Sequence, residues 1–239
     1  MPSRRACLGV PVAAILGALI AGCSSSSSSA TATSASSPPA SASPSASALN
    51  GAQLSAALLP ASDMPSGFKL DPSAERNTGA STASDTTQQV PASKECSLLT
   101  GTSWIAATGI GAGSFAQNDY INGSSTEEIA QEADAYSGGD AQHVMETLWQ
   151  VFGKCSHFTV DSGGTSAATT MARSKLSGVG DQAYEAVQAS PAFQGGTTLV
   201  AIRVGNMIVT CLDSSSGNDK GAAALRYAER IATKVQNAM

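Results

Sequence analysis

Residues 197–213 read TTLVAIRVGNMIVTCLD, and this stretch decides the fold. Two apolar, β-branched runs flank the Gly-Asn pair at 205–206, which is typical of the two-residue turn of a β-hairpin. Three cross-strand pairs then share one side of the hairpin: Val204 with Met207, Ile202 with Val209, and Val200 with Cys211. Because Arg203 and Thr210 lie on the opposite side, we expect the first side to face the core and Cys211 to be a buried thiol.

Further strands and helices are predicted on both sides of this hairpin. The other strands are predicted at 104–110, 114–121, 126–137, 156–160, 167–176 and 183–189. Apolar residues at helical spacing predict helices at 50–59, 93–99, 140–153 and about 219–236. Asn50 is the expected cap of the first helix. The expected buried stripes are Val144, Leu148, Val151 and Phe152 in the third helix and Leu225, Ala228, Ile231, Ala232 and Val235 in the fourth. The pattern indicates an α+β fold, in which an antiparallel β-sheet packs against helices in a single domain.

Residues 126–137 fit two interpretations. Ser125 and Glu128 resemble the capping box of a helix. The segment also alternates between apolar and polar residues, and the Gly pair at 138–139 fits a turn between a strand and a helix. We predict a strand here.

The N-terminus has the pattern of a bacterial lipoprotein signal. Arg4 and Arg5 precede an apolar stretch at 6–22, and Cys23 follows Gly22 directly. The end of this stretch resembles a lipobox, which implies cleavage between Gly22 and Cys23 and a diacylglyceryl and palmitate-type lipid on Cys23. A membrane-spanning helix needs about 20 apolar residues, so this shorter segment favours a signal peptide. We expect a protein anchored by lipid to the outer, extracytoplasmic face of the cell membrane.

Two polar stretches frame the start of the folded part. Residues 24–48 contain only Ser, Ala, Thr and Pro, so nothing there offsets the entropy of ordering, and we predict a flexible tether over 23–48. Residues 72–94 have Val90 as their only large apolar residue, and we predict a mobile insertion. The folded domain is therefore predicted to comprise residues 49–239.

Three cysteines belong to this domain: Cys96, Cys155 and Cys211. Outside the cytoplasmic membrane thiols tend to oxidise, and an odd number leaves at least one of them without an intramolecular partner. Because Cys211 is expected in the core, we predict a Cys96–Cys155 disulfide. Whether Cys211 stays free is left open by the sequence.

Composition and motifs argue against nucleic-acid binding and against catalysis. The chain has 13 basic and 18 acidic residues and no basic cluster, so nucleic acid is not an expected partner. His143 and His157 are its two histidines, and neither belongs to a metal-binding or nucleophilic motif. The Gly-rich run at 109–113 lacks the third glycine of a dinucleotide-binding loop. We predict no enzyme activity, no cofactor and no metal.

Trp104 and Trp149 are interpreted either as core anchors or as the lining of a binding cleft.

Several segments, taken in order, resemble the actinobacterial extracellular sensor domain of PknH-like receptor kinases and of many free lipoproteins. They are LSAALLPASDMPSGF at 54–68, CSLLTGTSW at 96–104, WQVFGKC at 149–155, GVGDQAY at 178–184 and VGNMIVT at 204–210. The resemblance implies an antiparallel sheet with helices around a cleft that senses an envelope ligand. Some members have two disulfides, whereas Cys211 has no evident partner in this chain.

Two functions are therefore expected to compete. The first is a non-catalytic module that binds or senses an unidentified envelope ligand, with a cell-wall component or a membrane receptor as its partner. The second is a structural or protein-interaction role in the envelope without a small ligand. A large cleft favours the first function, and a filled interior beside a flat apolar patch favours the second.

Overall fold

The computed structural model describes residues 49–80, 94–162, 165–191 and 196–239. The predicted signal peptide at 1–22, its lipidation site Cys23 and the tether at 23–48 lie outside the described residues. The predicted insertion is described only at 72–80 and at residue 94, while 81–93 lie outside.

The described residues form helices and strands in one folded unit. The helices are α1 (Gly51–Ala57), α2 (Glu95–Leu98), α3 (Asp140–Lys154) and α4 (Ala222–Ala238), with short 3-10 helices at Ala61–Asp63, Trp104–Thr108 and Asp219–Gly221. The strands are β1 (Lys69–Leu70), β2 (Arg76–Asn77), β3 (Ser114–Ile121), β4 (Glu128–Ala135), β5 (His157–Ser162), β6 (Thr165–Leu176), β7 (Gln182–Ala189), β8 (Thr197–Val204) and β9 (Met207–Asp213).

These strands form one sheet in the order β1-β3-β4-β9-β8-β7-β6-β5, with β2 also paired to β3. Every strand pair is antiparallel. The predicted α+β class is therefore confirmed. No helix among the described residues combines the length and apolar content that a membrane span requires.

The β8–β9 hairpin lies at the centre of the sheet and has the predicted register, with Val200 opposite Cys211. The prediction that only one side of it faces a core is wrong. Ala201 and Ile208, on the other side, are also fully buried, and so is Thr210. The physical reason is that helices cover both faces of the sheet, so the polar side chain of Thr210 does not indicate a solvent-exposed face.

One face of the sheet packs against α1 and α4. Asn50 caps α1 as predicted, because its side chain accepts a hydrogen bond from the backbone of Gln53 while the Gln53 side chain accepts one from Asn50. The buried stripe of α4 includes Ile231 and Val235, whereas Leu225, expected in that stripe, is only partly buried.

The opposite face packs against α3, whose predicted stripe is confirmed in full. The buried residues of that stripe are Val144, Leu148, Val151 and Phe152. The predicted strand over 104–110 is wrong, because this segment forms a 3-10 helix that ends at Gly109 in the left-handed conformation, with φ 71°. Three residues per turn bring Trp104 and Ala107 to the same side, and both are buried.

The strand prediction for residues 126–137 is confirmed by β4. Ser125 has φ 54°, which is not the extended conformation that a helical N-cap needs. The Asn122 side chain instead accepts hydrogen bonds from the backbone of Thr126 and Glu127, which orders the turn between β3 and β4.

The Cys96–Cys155 disulfide is present, as predicted, and joins α2 to the end of α3 with a Cα–Cα distance of 5.4 Å. An ion pair between Lys154 and Glu95 lies beside it, at 2.6 Å. Cys211 is a buried free thiol, and burial raises its pKa well above the ordinary value.

The short strand β2, at 76–77, lies inside the segment predicted as an insertion, and it pairs with β3.

A candidate ligand-binding cleft

The structure contains a cleft of about 230 Å³. One wall is the 3-10 helix at 104–108 together with the loop that follows it, and the other wall is the face of β3 and β4. Its walls combine apolar side chains with two carboxyl groups. The lining residues are Ile105, Ala106, Gly109, Ile110, Gly111, Ala112, Phe115, Glu132, Asp134 and Tyr136. The volume is below the range of about 300–1,000 Å³ usual for drug-sized ligands, so the cleft suits a small molecule or one end of a larger one.

The local sequence explains why this space stays open. Gly109 turns the chain out of the 3-10 helix, and the loop returns to the sheet where the Gly113 backbone N–H donates to the Ala135 carbonyl at 2.8 Å. Between these points, Gly111 and Ala112 have no side chain long enough to fill the space beneath them. The loop therefore covers the sheet without closing on it.

Strand alternation places Glu132 and Asp134 on the same face of β4, toward this loop. Glu132 lies opposite Gln117 of β3, and Asp134 lies opposite Phe115. The two residues are only 6% and 2% exposed. Glu132 Oε2 and Asp134 Oδ2 are buried and accept no hydrogen bond from a hydroxyl, amide or cationic group of the described residues, so within this part of the protein the two oxygens have only each other as partners, through a shared proton. Buried acceptors are rarely left unpaired, because losing water without a replacement partner costs about 1–3 kcal/mol.

A polar network supports the carboxyl pair from the side of β3. Gln117 Oε1 accepts hydrogen bonds from Arg76 Nη2 at 2.5 Å and from Ser103 Oγ at 2.7 Å. Its Nε2 donates to Thr102 Oγ1 and to both carboxyl oxygens of Asp119, each at 3.0 Å. Arg76 Nη2 also donates to Ser103 Oγ at 2.9 Å. Gln117 is therefore fully bonded and holds Asp119 and Arg76 beside the cleft.

Burial dominates the electrostatics of these acids. It raises the pKa of Glu132 to about 7, although hydrogen bonding to Ser103 and Asp134 and the charge of Arg76 act in the opposite direction. Burial, followed by the charge of Glu132, raises the pKa of Asp134 well above its ordinary value. Burial also raises the pKa of Asp119 to about 6. Near neutral pH the pair therefore retains protons that an exposed pair would lose.

Glu128, on the same face at the start of β4, belongs to the same electrostatic environment. Burial, followed by the charges of Asp119 and Asp71, raises its pKa to about 7. The acidic residues of this face thus reinforce one another, and Arg76 is the cation that acts on Asp119 and Glu132.

Neither of the two tryptophans named from the sequence lines this cleft. Trp104 is fully buried and packs on Phe152 with ring centroids 5.8 Å apart, so of its two interpretations the core anchor describes it. Trp149 is partly exposed and packs on Tyr184 at 5.0 Å, with the Arg173 guanidinium 4.0 Å from its ring centroid.

Sequence reasoning missed Glu132 and Asp134 altogether. A signal was present, because two acids at positions i and i+2 of a strand share one face and alternate with Ala133 and Ala135. Such a pattern ordinarily marks the solvated face of a strand. Only the loop at 109–113, which comes from elsewhere in the sequence, turns that face into a cleft.

Across the described residues, no group of three His, Cys, Asp or Glu side chains is arranged to hold a metal ion. His157 is exposed, and its Nδ1 lies 3.3 Å from Ser156 Oγ. Comparisons with protein families and with curated proteins find no match to this chain. The resemblance to extracellular sensor domains therefore remains a prediction carried by the five segments named above.

Proposed function

We propose that this chain is a lipid-anchored lipoprotein of the extracytoplasmic membrane face, whose folded domain binds or senses a small envelope ligand without catalysis. The observation that carries the proposal is the cleft beneath the 109–113 loop, where two buried carboxyl oxygens have no partner among the described residues other than each other. A site with open acceptors and apolar walls is suited to hold a molecule that brings its own donors.

The anchoring part of the proposal is supported by sequence and by covalent chemistry. Gly22 and Cys23 form the lipobox-like cleavage site. The Cys96–Cys155 disulfide fits a protein that works outside the reducing cytoplasm.

Anchoring is tested by replacing Cys23 with Ala in the full chain and following it through cell fractionation. The unmodified chain is expected with membranes, and the Cys23→Ala variant is expected in a different fraction or as an unprocessed precursor. Mass spectrometry of the mature N-terminus is the direct measurement. An unmodified Cys23 thiol behind an intact Met1 contradicts the anchor.

Binding is tested by thermal-shift screening of the full chain against fractions of cell-wall glycans, wall peptides and lipids. Ala106 is exposed at the rim of the cleft, so Ala106→Trp is expected to block entry and abolish any shift. Ala222→Trp is the matched control, because Ala222 is exposed at the start of α4 on the opposite face of the sheet. Equal shifts for both variants place binding outside the cleft.

A protein-interaction role without a small ligand is the second candidate. One observation favours it: Trp149 is partly exposed, with Arg173 and Lys175 over its ring at 4.0 and 5.1 Å. Aromatic and arginine side chains are enriched where proteins bind one another. If Trp149→Ala removes co-purification with a membrane receptor while Ala106→Trp does not, this second function is favoured.

A further inference from the structure

We propose that the cleft receives the ammonium end of a small organic amine, with the carboxyl groups of Glu132 and Asp134 as its acceptors. This inference deepens the proposed binding function and rests on it. It is carried by two buried carboxyl oxygens that have only each other as partners among the described residues, by the local balance of charge and by the chemistry of the walls.

The first step concerns hydrogen bonding. Glu132 Oε2 and Asp134 Oδ2 are both buried at the wall of the cleft, and among the described residues these two oxygens can pair only with each other, through a shared proton. Once that proton is lost the pair presents only acceptors, and an ammonium group, with three N–H donors and no acceptor, matches it. A carboxylate ligand brings only acceptors, so it could bind only while the pair keeps its protons.

The second step concerns charge. Asp119 of β3, opposite Ala130, and Glu128 at the start of β4 lie on the same face as the pair, and on β2 Arg76 is the neighbouring cation. Arg76 already donates to Gln117 and Ser103. The 3-10 helix WIAAT at 104–108 and the loop GIGAG at 109–113 carry no charge, and β9 presents Thr210 and Ile208 opposite the pair. The acids of this face thus exceed its cations, and buried charge is tolerated only when it is neutralised or paired. Protons neutralise the pair in the free protein, and an ammonium group replaces them in the complex.

The third step concerns the rest of the ligand. Ile105, Ile110, Phe115 and Tyr136 form the remaining large side chains of the wall. They suit an alkyl or aryl body attached to the amine. A bare metal ion is a poorer match, since no third acid, His or Cys joins the pair among the described residues. A neutral alcohol would leave the charge of the pair without a counter-ion.

The test uses the full chain labelled with ¹³C at its isoleucine methyl groups, so that Ile105 and Ile110 report directly on the cleft. The probes are n-butylammonium chloride, 1-butanol and sodium butyrate, which share an alkyl chain and differ in their head group. Butylammonium is expected to move both methyl signals saturably, and the other two probes are expected to leave them in place. Glu132→Gln and Asp134→Asn are each expected to weaken the affinity at least tenfold. Glu146→Gln is the matched control, because Glu146 is exposed on α3, and it is expected to change affinity less than twofold.

A pH series on the unmodified chain keeps the proposal testable if the variants fold poorly. Butylammonium stays protonated between pH 5 and 8, as an alkylamine has a pKa near that of lysine, about 10.4. The carboxyl pair loses protons over this range, so affinity is expected to rise at least tenfold from pH 5 to pH 8. An unchanged or falling affinity overturns the inference.

The possible failures are distinguishable. If 1-butanol moves the two methyl signals as well as butylammonium does, and Glu132→Gln has no effect, the cleft binds ligands but not through an ammonium group. If none of the three probes moves Ile105 or Ile110, the amine inference is overturned while the binding function still depends on the envelope screen. If no envelope fraction shifts the melting temperature of the unmodified chain, the proposed binding function itself fails.

Discussion

The two faces of strand β4 treat buried polar groups in opposite ways. On the α1/α4 face, both ends of the Gln131 amide are bonded to backbone, because Oε1 accepts from the Leu59 backbone N–H at 2.8 Å and Nε2 donates to the Leu59 carbonyl at 3.1 Å. Tyr120 donates to the same carbonyl at 2.8 Å. On the other face, Glu132 and Asp134 keep an oxygen each that has no partner among the described residues other than the neighbouring carboxyl group.

The difference separates the two tasks of the fold. Paired polar groups fix the chain that follows α1 on the sheet, and their contribution is to stability and geometry. Unpaired acceptors give no stability, since burying them costs free energy. Within β4 this cost falls on one face only, whereas on β9 the Asp213 Oδ2 atom is buried without a partner among the described residues on the α1/α4 face, so the contrast between the faces is a property of β4.

The largest expected effect comes from truncating the core on either side. Trp104→Ala and Leu54→Ala each remove a fully buried side chain. The free energy of unfolding is expected to fall by about 3–5 kcal/mol for Trp104→Ala and by about 2–5 kcal/mol for Leu54→Ala. Only Trp104→Ala is expected to shift the methyl signals of Ile105 and Ile110, because Trp104 begins the helix that carries the cleft wall. Urea unfolding and methyl spectra measure the two effects. Equal shifts for Leu54→Ala would mean that the faces are not independent.

A smaller effect is expected from changing the polar groups of β4 themselves. Gln131→Ala leaves the Leu59 N–H buried without its acceptor, so the free energy of unfolding is expected to fall by roughly 1–3 kcal/mol. Glu132→Gln, one residue along, is expected to leave it unchanged or to raise it at pH 7, because a buried charge is removed. Chemical denaturation compares the two variants. A loss for Glu132→Gln as large as that for Gln131→Ala would assign Glu132 to the scaffold.

The smallest effect is a dependence of stability on pH that belongs to the cleft face. The pKa values of Glu128 and Glu132 are raised to about 7 and that of Asp119 to about 6, so between about pH 4.5 and 7 the folded chain binds more protons than the unfolded chain. The free energy of unfolding is therefore expected to fall as pH rises through this window.

Asp71 and Glu127 have lowered pKa values and act below this window, so they do not cancel the trend. The double variant Glu132→Gln, Asp134→Asn is expected to reduce the slope, and Glu146→Gln is expected to preserve it. Thermal melts at five pH values supply the measurement, and an undiminished slope in the double variant would assign the trend to the other acids with raised pKa values, which are Asp119, Glu128, Glu185 and Asp213.

What the sequence predicts well in this chain is what local periodicity determines. The Gly-Asn turn sets the β8–β9 register, and the apolar spacing of α3 names four of its buried residues. The Cys96–Cys155 pair follows once Cys211 is assigned to the core, because that assignment leaves two thiols. Each of these inferences depends on residues within one element or on counting.

The features that could not be predicted depend on burial by segments that are distant in the sequence. Thr210 and Glu132 have the polarity of solvent-facing residues, and only helix α3 and the 109–113 loop bury that face. The strand prediction for residues 104–110 was wrong for a related reason. Its apolar run fits a strand equally well, and only the left-handed Gly109 and the burial of Trp104 with Ala107 select the tighter helix.

Every residue that lines the cleft falls between the two bridged cysteines, since the lining begins at Ile105 and ends at Tyr136. The lining of the candidate cleft is thus contained in one covalent ring. A protease that cut anywhere in this ring would open the chain without releasing either piece. On a gel run without reducing agent, such nicked molecules would migrate as one species, and they would separate only after the sulfur bridge was reduced.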